Sequence, residues 1–99
     1  MKTKYDFYAD PGHGWMKVSL NELQELGLIE KITSYSYMRN NDVFLEEDCD
    51  LSLFIKEKQN LGIKIQFKDH VSRRSSKIRN YSHYSPEKAL RMLQFLMLK

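Results

Sequence analysis

The sequence predicts an α+β fold: about five strands in a mainly antiparallel sheet, with two short helices and a C-terminal helix packed on one face. Three observations point there. Apolar and polar residues alternate at period two in several short runs, the mark of half-buried strands. Serine or aspartate stands directly before three stretches whose apolar residues recur at helical spacing. The 99 residues hold no repeat, linker or low-complexity tract, so residues 1–99 read as one domain around one modest core.

The first strand is Lys4–Ala9, with Tyr5, Phe7 and Ala9 opposed to Asp6, Tyr8 and Asp10. A second covers residues 15–18. Between them, Pro-Gly-His-Gly reads as a hairpin loop in which Pro11 presets its own φ and Gly12 supplies the positive φ of a type II turn. Ser19-Leu20-Asn21-Glu22 fits a reciprocal capping box, serine bonding forward and glutamate reaching back. Leu20, Leu23 and Leu26 then share a face, and Gly27 stands where a left-handed residue closes a helix. A hairpin is expected over residues 31–47. Ile32, Ser34, Ser36 and Met38 face one way, Thr33, Tyr35 and Tyr37 the other, and Asn40-Asn41 makes a type I′ turn. On the return strand Val43 and Leu45 oppose Phe44 and Glu46. Asp48 or Asp50 caps a second helix with Leu51, Phe54, Ile55 and Lys58 on one face, ending at Asn60 and Gly62. Ile63, Ile65 and Phe67 alternate with Lys64, Gln66 and Lys68 as a final strand. Residues 69–84 are polar, basic and aperiodic, hence a long loop or an irregular edge. Ser85 caps the terminal helix and Pro86 opens it.

Composition excludes several functional classes. With 41% hydrophobic and 29% charged residues, the chain is globular rather than disordered. No apolar run reaches the ~18 residues of a membrane span, and MKTKYDFY lacks the apolar stretch of a secretory signal. Cys49 is the single cysteine, so no internal disulfide forms and a reducing cytoplasm is the expected compartment. The Asn80-Tyr81-Ser82 sequon is idle there. The net charge of +3 is spread unevenly: 7 basic and 11 acidic residues through Asn60, then 9 basic and 2 acidic from Leu61 onward. Either an anionic partner or mutual compensation between the two halves accounts for the split.

The acidic run Glu46-Glu47-Asp48-Cys49-Asp50 is explained by carboxylates favoured at a helix N-terminus. A metal site would need His13 or His70 to converge on it. His13, His70 and His83 lie on separate loops, and no His-x-x-x-His, paired cysteines or Gly-x-Ser-x-Gly elbow is present. A Cys49–His nucleophile is opposed by the neighbouring carboxylates, which raise a thiol pKa. The expectation is therefore no enzyme, no cofactor and no metal, with a metal- or thiol-dependent enzyme as the remote alternative. The stronger lead is basic: Arg73, Arg74, Lys77 and Arg79 alternate with serines and precede Tyr81, His83 and Tyr84, a composition suited to phosphates and stacked bases. The same loop could instead answer the chain's own acidic run. In ALRMLQFLMLK only Arg91, Gln94 and Lys99 are polar, so that helix either meets a second copy or a partner, or is buried unusually deeply.

The blocks KYDFYADPGHGW, ITSYSY, FLEEDCD and SSKIRNYSHY resemble those of small proteins encoded by phages, prophages and plasmids, over most of the chain up to Tyr84. The resemblance carries no assigned fold or functional residue. It implies an accessory gene of a mobile element acting in a bacterial host's cytoplasm, where such products bind host machinery, restriction or CRISPR effectors included. The expected function is a non-enzymatic protein that docks on a host or phage protein or nucleoprotein complex as a counter-defence factor. The contacts expected are Tyr35 and Tyr37, the loop tip at His13 and Trp15, and Arg73, Arg74, Lys77, Arg79, Tyr81 and Tyr84 of the basic loop. Direct nucleic-acid binding through residues 72–84 is the alternative.

Overall fold

The computed structural model describes residues 2–98. It confirms the α+β class, with six strands where about five were expected. The strands are β1 (Lys4–Ala9), β2 (Gly14–Ser19), β3 (Tyr37–Arg39), β4 (Asp42–Glu46), β5 (Gln66–Val71) and β6 (Ser82–His83). Their order across the sheet is β5-β1-β2-β4-β3-β6, antiparallel throughout except for the β1–β5 pair, which is parallel. Helices α1 (Leu20–Glu25), α2 (Asp50–Asn60) and α3 (Pro86–Met97) cover one face, as expected. A 3-10 turn, Lys77–Asn80, crosses the other.

Period-two alternation sorts the strands onto these faces. Tyr5, Met16, Val18, Met38, Val43 and Leu45 pack under the helices with Leu20, Leu23, Leu51, Phe54, Ala89 and Leu93. Trp15, Phe44, Tyr8 and Tyr37 point the opposite way and gather around Ile78 and Tyr81. Ser19 caps α1 by accepting from the Glu22 N–H at 3.1 Å. At its end Gly27 (φ 70°) lets the Leu28 N–H reach the Leu23 carbonyl, a Schellman closure. Gly62 (φ 75°) closes α2 the same way. Ser85 caps α3, accepting from the Lys88 N–H.

Several expectations are corrected. The β1–β2 turn is not type II, because Gly12 has no positive φ. Instead the Asp10 carboxylate accepts from the Gly12 and His13 N–H groups, both at 3.0 Å, and the side chain sets the turn. Gly14 is required by packing: a Cβ there would stand 2.4 Å from the Phe7 ring. At Asn40-Asn41 only Asn40 has positive φ (56°), so the turn is not type I′. Residues 32–36 form no strand, since Asp50 draws them away from the sheet: its buried carboxylate takes the Thr33 N–H and the Thr33 and Ser36 hydroxyls. Neither Asp48 nor Asp50 caps α2; Cys49 occupies that position through its backbone. The expected strand over residues 63–68 starts at Gln66 and runs to Val71, because β1 is its partner and the six residues of β1 set where pairing begins and ends. Residues 69–84 accordingly hold the end of β5, the 3-10 turn and β6.

Glu22 does not reach back to complete a capping box. Its carboxylate is buried, accepting from the Tyr5 hydroxyl and, at 2.7 Å, from Lys58 Nζ. Lys58 is fully buried and also donates to the Lys2 carbonyl at 2.8 Å. Burial, reinforced by the Glu22 carboxylate, pushes the Tyr5 hydroxyl far above its ordinary pKa, so it remains a donor. One ionic knot thus joins β1, α1 and α2. Lys58→Met leaves the carboxylate buried beside Tyr5 alone and is expected to cost about 3–5 kcal/mol. In urea unfolding the Glu22→Leu/Lys58→Met double variant should recover much of that loss; losses that simply add would show that the two charges are not coupled.

Candidate binding face: two clefts across the open side of the sheet

The face away from the helices is divided by a ridge of Trp15, Phe44 and Ile78. The ridge exists because Ile78, in the 3-10 turn, is buried against the sheet while the basic residues beside it remain outside. One cleft opens on each side, towards opposite ends of the strands.

The basic cleft, ≈ 290 Å³, is floored by Tyr8, Phe44 and Tyr81 and rimmed by Lys17, Arg39 and Lys77, with Asp42 among them. Tyr8 stacks on His70 at 4.7 Å between ring centres, and Tyr81 leans on Phe44 at 5.2 Å. Arg39 lies over the Tyr81 ring at 5.3 Å. Lys17 and Asp42 approach to 3.7 Å, a half-exposed pair that leaves the lysine largely hydrated. Beside the floor, a hydrogen bond from His70 holds the Asp6 carboxyl below its usual range.

The second cleft, ≈ 370 Å³, is lined by His13, Trp15, Tyr35, Tyr37, Glu46, Asp48, Cys49, Arg79 and His83. Tyr37 stacks on His83 at 4.8 Å, and His83 is held by the Ser34 carbonyl at 2.9 Å. The histidine of the first hairpin and the acidic run, distant in sequence, therefore meet here. The reason is topological: β4 pairs with β2, so the end of β4 lies beside the base of the β1–β2 hairpin, where the Glu47 N–H donates to the Gly14 carbonyl at 3.1 Å. The Cys49 thiol is pushed up, chiefly by the Asp50 carboxylate, which keeps it protonated at neutral pH.

Asp10 organises both clefts. Its fully buried carboxylate accepts from Arg79 Nε and Nη2 at 2.7 and 2.8 Å, from the Ser76 N–H at 2.8 Å, and from the two turn N–H groups. The Arg79 hydrogen bonds hold the Asp10 carboxyl far below the ordinary carboxylate range, with the Ser76 N–H adding to the effect. Arg79 also covers the Trp15 ring at 5.3 Å. The basic loop therefore does answer an acid of its own chain, and that acid is Asp10 rather than the run at 46–50.

The ten residues singled out from sequence consequently separate. Arg73 and Arg74 are exposed on the bend after β5, and Lys77 rims the basic cleft. Tyr81 floors the same cleft, while His13, Tyr35 and Tyr37 line the other. Arg79 is committed to Asp10. Trp15 is 2% exposed and forms a wall rather than a loop tip. Tyr84 is core: its hydroxyl donates to the Ile29 carbonyl, and burial pushes its pKa up to about 12. Tyr8, Lys17, Arg39 and Asp10 were missed. The alternation that put Trp15 and Phe44 opposite the core residues also put Tyr8 and Lys17 there, so part of the signal was present in the sequence.

The depressed Asp10 pKa makes its contribution complete above about pH 4, fading as the carboxyl protonates below that. Asp10→Asn should lower the melting temperature at pH 7, and the deficit against the parent should narrow towards pH 3 in circular-dichroism melts. An equal deficit at both values would show that carboxylate charge is not what holds the two loops. Compared with known proteins, this chain matches no family model, no curated protein and no solved structure.

Proposed function

We propose that this chain is a non-enzymatic binding protein of a phage or related mobile element, and that its open sheet face grips a single-stranded nucleic-acid segment, free or carried by a host nucleoprotein complex. The basic cleft supports this reading above all: three cations, Lys17, Arg39 and Lys77, surround an aromatic floor of Tyr8, Phe44 and Tyr81. Single strands are bound by that combination, cations tracking phosphates while bases stack on rings. Arg73 and Arg74 extend the positive track beyond the cleft, whereas Arg79 contributes by fixing the loop. A counter-defence role follows from the same grip, the protein occupying a strand that a restriction or CRISPR effector needs in its bacterial host. That context rests on the sequence blocks KYDFYADPGHGW, ITSYSY, FLEEDCD and SSKIRNYSHY alone.

Fluorescence anisotropy with labelled DNA and RNA strands of about twelve nucleotides tests the reading. Between about 50 and 200 mM salt, affinity should fall with a log–log slope of about −2 to −3, as expected for three or four phosphates on a single strand. Arg39→Ala/Lys77→Ala should abolish most binding, and Arg73→Ala/Arg74→Ala should flatten the slope. No binding at the lower salt would discard direct nucleic-acid recognition.

A second reading rests on α3. Ala89 and Leu93 are its buried positions, while Leu90, Phe95, Met97 and Leu98 are exposed, an apolar stripe suited to a partner protein or a homodimer. Sedimentation over a roughly hundredfold concentration range tests the homodimer: self-association should appear and be removed by Leu90→Glu, and a monomer throughout excludes a second copy as the occupant.

A further inference from the structure

The second cleft holds a donor set that nucleic-acid binding does not use. His13, Glu46 and Asp48 each offer one ligand atom, and these three atoms lie within 4.8 Å of one another. Their backbones are already fixed. Asp10 holds the His13 N–H, Ser36 Oγ accepts from the Glu46 N–H at 3.0 Å, and the Asp48 N–H donates to Glu46 Oε1 at 3.0 Å. His13 and Asp48 are exposed, so their side chains can close further, while Glu46, half-buried and held through Oε1, keeps its second carboxylate oxygen for a ligand. A separate observation marks the same cleft. Trp15 forms its wall, 6.1 Å from the His13 ring, and the Trp15 indole N–H is the one buried side-chain polar atom among the described residues that lacks a hydrogen-bond partner. Buried donors in folded proteins are nearly always satisfied, and an indole N–H, which cannot ligate a cation, calls for an acceptor oxygen of the kind a metal-bound water or anion brings.

We propose that His13, Glu46 and Asp48 bind a divalent transition-metal ion, with Zn²⁺ the best match. Bonds of about 2.0–2.2 Å from an imidazole nitrogen and two carboxylate oxygens place the donors of a tetrahedral ion about 3.3–3.5 Å apart, a modest contraction from the present arrangement. The imidazole disfavours Ca²⁺ and Mg²⁺, which prefer oxygen alone. Three protein ligands leave one coordination position for an anionic oxygen of a guest molecule. The ion offsets the two carboxylates, so the acidic side of the face becomes able to receive the same kind of anionic ligand as the basic cleft. Cys49 lines the cleft but is not required as a ligand.

The metal-free full chain is titrated with ZnCl₂ and followed by calorimetry and by fluorescence of Trp15, the only tryptophan. One ion per chain should bind with a Kd below about 10 μM. His13→Gln and Asp48→Asn should each weaken binding at least about tenfold, since even outer-shell changes at metal sites cost that much. Cys49→Ser and His70→Gln should stay within about threefold of the parent. Circular dichroism should show each variant folded, since His13 and Asp48 are exposed. A parent Kd above about 1 mM, undiminished binding in His13→Gln, or loss of binding in Cys49→Ser or His70→Gln would overturn the proposal. No nucleic acid is present in this titration, so its outcome is independent of the strand-binding reading.

Discussion

The structure turns on the buried Lys58–Glu22–Tyr5 contact. A lysine with no exposed surface can remain in a small core only if its charge is met, and here the partners come from β1 and α1 while the lysine itself comes from α2. The contact therefore fixes how three elements meet. The position of α2 in turn decides where the chain emerges after Gly62, and so delivers β5 to the free edge of β1 in parallel. Hydrophobic burial supplies most of the stabilisation of this core. The ion pair is directional in a way that leucine packing is not, and so selects one arrangement of the layers.

Asp10 plays the corresponding part on the open face. An α+β layer with helices on one side leaves the other side of its sheet to water or to a partner. Here residues 72–81 cross that side and are anchored by Ile78 below and by Arg79 on Asp10. The anchoring has two consequences. It divides the face into a basic aromatic cleft and a histidine–carboxylate cleft, and it ties Arg79 to Asp10 while leaving Arg73, Arg74 and Lys77 exposed. Charges that look equivalent along the chain thus divide into structural and available ones, according to whether a carboxylate lies within reach.

Much of the secondary structure was legible. Ser19, Gly27, Gly62 and Ser85-Pro86 are local signals whose effect depends on a few adjacent backbone groups, and each acts as expected. Local signals misled where a distant group competed. Residues 32–36 alternate like a strand, but the Asp50 carboxylate offers the Thr33 backbone a stronger partner than a strand edge does. Glu22 sits at the capping-box position, yet a buried ammonium outcompetes the single N–H at the cap. Of the site, the aromatic alternation and the basic run were readable; the meeting of His13 with Glu46 and Asp48 was not, because it follows from β2–β4 pairing.

By itself the sequence determined the three helices, the inward faces of β1, β2 and β4 and the Ser19 and Ser85 caps, since these depend on residues within a turn or two of one another. Tertiary structure alone decided the sixth strand, the parallel edge, the burial of Trp15 and Tyr84, and which arginine is spent inside the molecule. Those outcomes turn on pairs such as Asp10 and Arg79, or Glu22 and Lys58, whose separation along the chain carries no periodic trace. Their energy is realised only once folding removes the water between them.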